Sequence, residues 1–128
     1  MTDLVKIAVD AMGGEGSPKK TMDGLVHNHL SKKNNYYKIF GDKAKILIAL
    51  NNRIDQKFFD IVDTKNIVKN TDSPLEAAKR GKDTSMWLSI DSVKNKETDI
   101  VISAGNTGAL LVIAKLNLKM IENIDKPA

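Results

Sequence analysis

Two stretches of this chain share one design: a short apolar run leads into a glycine-rich turn and the turn into a helix, at Asp10 to Pro18 and again at Ser103 to Leu110. Units of this kind leave few folds open, because strands alternating with helices pair in parallel and bury both faces of the sheet. Val5 to Val9 is β-branched and apolar without alternation, the pattern of a strand buried on both faces, and Asp99 to Ser103 reads the same way. Between them, Tyr36 to Phe40 predicts a second strand closed by Gly41-Asp42, with a short helix over Ala44 to Leu50. Phe58 to Val62 and Asn66 to Lys69 are weaker apolar runs, read as one strand and a connection or as two short strands.

Helix starts are marked by side-chain chemistry. Ser17 followed by Pro18 reads as an N-cap with proline in the first helical position, and Met22, Leu25, Val26 and His29 then recur on one face. Ser73-Pro74-Leu75-Glu76 has the capping-box arrangement, for a helix that stops near Gly81. A further helix from about Thr84 places Met86, Trp87, Ile90 and Val93 on one face, and the last follows Gly105-Asn106-Thr107-Gly108 and runs through about Leu118. Its segment Ala109 to Ala114 is apolar nearly all round, which suits burial beneath more protein or, alternatively, within a small three-layer domain. Lys126-Pro127-Ala128 follows a helix with no return strand, so residues 1–128 are expected to be the N-terminal part of a single larger α/β domain whose C-terminal half is absent.

Composition narrows the function classes. At 128 residues one core is the limit, and 41% hydrophobic with 28% charged residues is an ordinary globular balance. With no cysteine, disulfides, thiolate metal sites and a cysteine nucleophile are excluded within these residues. The net charge is +4, but the lysines are scattered and aromatics are only 5%, which argues against nucleic acid. The longest apolar run, Ala109 to Ala114, is far short of the ~20 residues of a bilayer span. The first residues lack the basic flank and apolar core of a signal peptide, so a cytoplasmic protein is expected.

Both glycine turns are expected at the carboxyl ends of parallel strands, where backbone N–H groups and a helix N-terminus converge and form a cradle for phosphate. The alternative is that the glycines only make tight turns. Nucleotide signatures fail: a dinucleotide fingerprint from Gly14 meets Lys19 where glycine is required, and a Walker loop ending at Gly81-Lys82 meets Glu76. Lys79, Arg80 and Lys82 cluster around Gly81, fit either to face an anion or to remain solvated at a helix end. His27 and His29 are two apart on a helix and point to different faces, so they do not chelate one metal; Asp60 and Asp63 lack partners at ligand spacing. Trp87 reads as core, and no nucleophile–base–orienter trio can be assembled; no metal and no cofactor is expected.

Asp10-Ala11-Met12-Gly13-Gly14 with Pro18, then Ser73-Pro74, Lys82-Asp83-Thr84-Ser85-Met86 and Ser103-Ala104-Gly105-Asn106-Thr107-Gly108-Ala109-Leu110, resemble in order and spacing the phosphate acyltransferase family of bacterial phospholipid synthesis. The likeness is close over about residues 5 to 20 and 71 to 118 and loose between. It implies a Rossmann-like three-layer α/β/α enzyme of the isocitrate/isopropylmalate dehydrogenase type, usually a homodimer, that moves a fatty acyl group from acyl-carrier protein to inorganic phosphate and yields acyl phosphate. Members are longer, and their segment of peripheral membrane contact falls in the part not present here. Glu15 stands where the family usually has aspartate, and Thr84 where it has serine. Asn106, Thr107 and Gly108 carry over directly, Asp10, Gly13 and Gly14 more securely than Glu15.

A thioester is an activated donor and phosphate is itself a nucleophile, so such a reaction needs no enzyme nucleophile. The expectation for the site is that Asn106 and Thr107 of the Gly105–Gly108 turn grip phosphate while Lys82 neutralises charge. The Asp10–Gly14 turn shapes the acyl-phosphate site, and Asp10, Gly13, Gly14, Ser85, Ser103, Gly105 and Gly108 are expected to bind substrate or phosphate. A basic balance also suits an acidic carrier-protein partner. Two other classes stay open: a non-catalytic phosphate- or nucleotide-binding module, and another phosphate-using transferase on the same fold.

Overall fold

A computed structural model of the chain describes residues 4–69, 71–80 and 82–118, so the proposed helix stop at Gly81 and the terminal Lys126-Pro127-Ala128 lie outside the described residues. The order is β1 (Val5–Asp10), α1 (Lys19–Ser31), β2 (Asn35–Gly41), α2 (Lys43–Leu50), a 3-10 turn (Gln56–Phe58), β3 (Phe59–Asp63), α3 (Pro74–Arg80), α4 (Ser85–Lys94), β4 (Ile100–Ser103) and α5 (Thr107–Leu118). The four strands form one parallel sheet in the order β3-β2-β1-β4. Asn66 to Lys69 forms no strand; it is part of the connection to α3.

Side chains alternate across each strand, and this divides the interior in two. Ile7 and Val9 of β1 and Tyr37 and Ile39 of β2 pack with Met22, Leu25 and Val26 of α1 and Ile46 and Leu50 of α2. A second cluster joins Met86 and Ile90 of α4 to Ala77 and Ala78 of α3 and Ala109 and Ile113 of α5, with Val101 of β4 against it. The result is three layers, α1 and α2 on one face and α3, α4 and α5 on the other, as the sequence implies.

Local chemistry explains most element ends. Asp42 caps α2 by accepting from Lys45 N–H, and Asn51 closes it in the left-handed region at φ 48°. Thr84 caps α4 by accepting from Trp87 N–H, and Ser73 accepts from Glu76 N–H at 3.2 Å to start α3. Ser17 does not cap α1. The Ser17–Pro18 peptide is cis, Pro18 occupies the cap position, and the Ser17 hydroxyl turns back to donate to the Gly13 carbonyl and bond the Thr21 hydroxyl at 2.9 Å.

Two burial expectations are corrected. β4 is an edge strand, and α1 does not reach over it, so Ile100 and Ile102 are 48% and 52% exposed instead of buried. On α4 the covered face is rich in serine: Ser85, Ser89 and Ser92 are buried with Met86 and Ile90, while Trp87 and Val93 are only half-buried. Small side chains let α4 lie close to the sheet, and Ser89 and Ser92 satisfy their hydroxyls on the Met86 and Ser89 carbonyls of their own helix.

Candidate functional site

The chain runs β1-α1-β2-α2-β3 in one direction along the sheet and then returns, through α3 and α4, to place β4 on the other side of β1. Strand order therefore reverses between β1 and β4. In open α/β sheets the crevice outside the carboxyl ends of the strands at such a reversal is where ligands bind. Both glycine turns of the sequence leave the sheet there, one from the end of β1 and one from the end of β4.

The two turns touch backbone to backbone. A Cβ on Gly13 would stand 2.8 Å from the Gly105 nitrogen and 2.8 Å from Asp10 Oδ2, and one on Gly14, whose φ is +85°, would meet the Ala104 carbonyl oxygen at 2.9 Å. These glycines are required by close approach, and the approach is what makes one site from two turns.

Asp10 lies at the centre, 1% exposed, directly opposite Ser103 in the β1–β4 register. Its Oδ2 accepts the Ser103 hydroxyl at 2.7 Å; its Oδ1 accepts the Ser85 hydroxyl at 2.6 Å and the Met12 N–H at 3.2 Å. Ser103 Oγ in turn accepts the Gly105 N–H at 3.2 Å.

Asn106 turns out to be the cap of α5. Its Oδ1 accepts the Ala109 N–H at 3.1 Å, and its amide nitrogen donates to the Asp72 carbonyl at 2.8 Å and the Lys69 carbonyl at 3.2 Å. Both amide protons and one lone pair are thus committed to backbone, and the side chain holds the turn against the loop that precedes α3. Thr107 is exposed in the first position of α5, and the N–H groups of Thr107 and Gly108 have no carbonyl one turn back to receive them. Gly108 lies against Pro74, where a Cβ would stand 2.7 Å from Cγ. Lys82 is exposed just ahead of α4, and Lys79 on α3 is exposed as well; the Arg80 side chain and Gly81 lie outside what is described.

The structure thus gathers Asp10, Gly13, Gly14, Ser85, Ser103, Gly105, Asn106, Thr107 and Gly108 at one sheet edge. Glu15 is exposed beside them. Sequence reading gave Asn66 to Lys69 and Asp72 no part in holding the site. Ser85 N–H donates to the Asn66 carbonyl at 3.0 Å, and the Asn66 side chain donates to Asp83 Oδ2 at 2.6 Å. Asp72 Oδ2 accepts the Lys69 N–H at 2.9 Å. The signal was available in the Asn and Asp content of that stretch, which favours side-chain-closed turns. Beside the site an open, mostly apolar groove of about 770 Å³ runs between α1 and β4, lined by Ile7, Val9, Leu25, Tyr37 and Ile102.

Among the described residues no group of three or more His, Asp and Glu side chains is placed to hold a metal ion. Neither histidine belongs to the site. His29 is buried on α1, edge-on to Phe58 at 4.7 Å and to Tyr37 at 6.0 Å, and burial, with a lesser push from Lys33, holds its pKa below the ordinary 6.5. No described helix is long and apolar enough to cross a membrane.

Over residues 5–128 the sequence matches the profile of a family described as fatty acid synthesis protein. The chain belongs to that family. Among curated members, a phosphate acyltransferase of Pelagibacter ubique is 66% identical over the whole chain, which spans 38% of its length. Phosphate acyltransferases of Ehrlichia chaffeensis and Afipia carboxidovorans are 38% and 37% identical over 98% and 100% of the chain, which covers 38% and 37% of theirs. The chain thus spans little more than a third of the family members it matches. All three alignments take in both glycine turns, so the site is built from residues inside the matched region.

Proposed function

We propose that the protein, at the length of its relatives, transfers a fatty acyl group from acyl-carrier protein to inorganic phosphate, giving acyl phosphate for phospholipid synthesis, and works as a homodimer in the cytoplasm. We also place residues 1–128 in a single larger catalytic domain. The observation that carries the reading is the meeting of two glycine turns at the strand-order reversal, in a chain whose relatives are named phosphate acyltransferase.

In this reading phosphate sits at the start of α5, where the free N–H groups of Thr107 and Gly108, the Thr107 hydroxyl and the helix dipole face one anion. Lys82 supplies countercharge from the start of α4. Asn106 serves through the turn it holds. A phosphate oxygen attacks the thioester carbonyl, a C–O bond forms as the C–S bond breaks, and the carrier thiolate leaves and takes up a proton. The site's contribution is placement, which for a well-oriented pair amounts to about 7–11 kcal/mol in favourable cases, together with donors for the oxyanion.

The test is acyl-phosphate formation from acyl-acyl-carrier protein and phosphate by the chain extended to the relatives' length. Product should depend on both substrates, and Thr107→Ala should lower kcat/KM for phosphate about tenfold or more, the size of one lost hydrogen bond to a charged group. Phosphate binding without any acyl transfer would instead assign a binding module.

A further inference from the structure

We propose that Asp10 is a positioning residue of this site: it does not touch phosphate, and it sets the direction of the phosphate-facing N–H groups by clasping the hydroxyls of Ser85 and Ser103. The inference rests on the phosphate reading above. A carboxylate facing a phosphate would repel it, and Asp10 does not face outward; it is 1% exposed and both its oxygens are occupied from inside the protein. The three bonds come from three places in the chain: Met12 in the first turn, Ser85 at the start of α4 and Ser103 at the end of β4. The carboxylate is thus the point at which β1, β4 and α4 are fixed relative to one another.

The consequence for the site passes through Ser103. Having donated its proton to Asp10, Ser103 Oγ has lone pairs free for the Gly105 N–H, which it takes at 3.2 Å. Gly105 N–H is turned back toward the sheet, and the next free donors are those of Thr107 and Gly108 at the mouth of α5. Without the proton acceptor at Asp10 the Ser103 hydroxyl can rotate and release Gly105, and the turn that carries the donors loses its fixed direction. Ser85 anchors the other side, since it is the first residue of α4 and follows Lys82 by three. Asp10 therefore acts on the substrate through Ser103 and Ser85, and a hydroxyl is required at each.

The test is steady-state kinetics on the chain extended to the relatives' length, with phosphate and the acyl donor varied separately, for Asp10→Asn, Ser85→Ala, Ser103→Ala and Ser103→Thr, each checked for folding by thermal unfolding. Asp10→Asn and Ser103→Ala should raise KM for phosphate about tenfold or more while KM for the acyl donor stays unchanged. Ser103→Thr, which keeps the hydroxyl, should restore the phosphate KM to within about threefold of wild type, and Ser85→Ala should fall between. A purely architectural Asp10 would lower the unfolding temperature and the amount of active enzyme and leave the phosphate KM of the folded fraction within about twofold of wild type; that result overturns the proposal. A lowered phosphate KM in Asp10→Asn overturns it too, since the carboxylate would then face the anion. If Asp10→Asn does not fold, the Ser103 pair decides, because it leaves the carboxylate in place. An extended wild-type chain with no phosphate-dependent product removes the functional reading and the clasp together, whereas an active wild type with flat phosphate KM values removes the clasp alone.

Discussion

Gly13 and Gly105 meet so closely that a single methyl group decides whether the two turns stay together. Alanine at Gly13 places its Cβ 2.8 Å from both Asp10 Oδ2 and the Gly105 nitrogen, atoms held by hydrogen bonds and backbone. We expect Gly13→Ala to cost about 1–3 kcal/mol in denaturant unfolding, the range for an overpacked site, where a loose turn would show almost nothing. His29 gives a second prediction at this scale, with a sign. Its pKa in the fold lies below the ordinary 6.5, so below that pH the unfolded chain binds more protons than the folded one. Stability is full above about pH 6.5 and falls as pH drops from there toward the folded pKa. Asp23, Asp42 and Glu97 have carboxyls held below their usual values by Lys19 with Arg53, by the Lys45 N–H and by Lys38, so their stabilisation is lost only in a more acidic window. His29→Phe, at a site edge-on to Phe58 and Tyr37, should flatten the fall in unfolding temperature between pH 7 and pH 5.5; an unchanged slope would show that the imidazole is not its source. The place of these residues was only partly legible. Asp10 ends an apolar run and is plain in the sequence, but its partner Ser103 lies 93 residues away and is brought opposite only by the β1–β4 register.

At the scale of elements, Asn106 carries more than its position suggests. Its side chain caps α5 and ties that helix to the Lys69 and Asp72 carbonyls, so Asn106→Ala removes one cap bond and two bonds to carbonyls, a loss of about 2–3 kcal/mol. Asn106→Ser keeps a capping oxygen and loses the two amide donors, and should recover about 1 kcal/mol of that in urea unfolding; equal losses in both variants would mean that the cap contributes nothing. Capping chemistry was read correctly at Ser73, whose side chain faces a free helix start, and incorrectly at Ser17, whose hydroxyl finds the Gly13 carbonyl before it finds a helix N–H; the cap made by Thr84 is seen only in the structure. The serine-lined face of α4 was hidden for a related reason. Periodicity of large apolar residues marks a covered face only when the neighbour is far enough away to need them, and Ser89 and Ser92 are satisfied within their own helix.

For the whole molecule, the alternation of strands and helices was enough to name the layers and the parallel sheet, and the two glycine turns marked the right edge. The order β3-β2-β1-β4 was not legible, because strand order depends on which way each crossover returns. Nor was the exposed state of β4, since Ile100, Val101 and Ile102 have the composition of a strand covered on both faces. Ile100 and Ile102 on β4 and Leu111 on α5 present apolar side chains to solvent in a chain that spans 38% of its relative's length. In the chain extended to that length, the amides of residues 100–103 should exchange with solvent markedly more slowly than in residues 1–128 alone; equal exchange would mean that nothing further pairs with or covers β4. The central claim, that the turns after β1 and β4 form one phosphate site, is met most directly by titrating inorganic phosphate into the isotope-labelled, extended chain and following amide chemical shifts. The account expects Thr107 and Gly108 to move most, with Gly13, Gly14 and Gly105 following and His29 still. Saturable shifts centred on any other part of the sheet edge, or none at all, would contradict it.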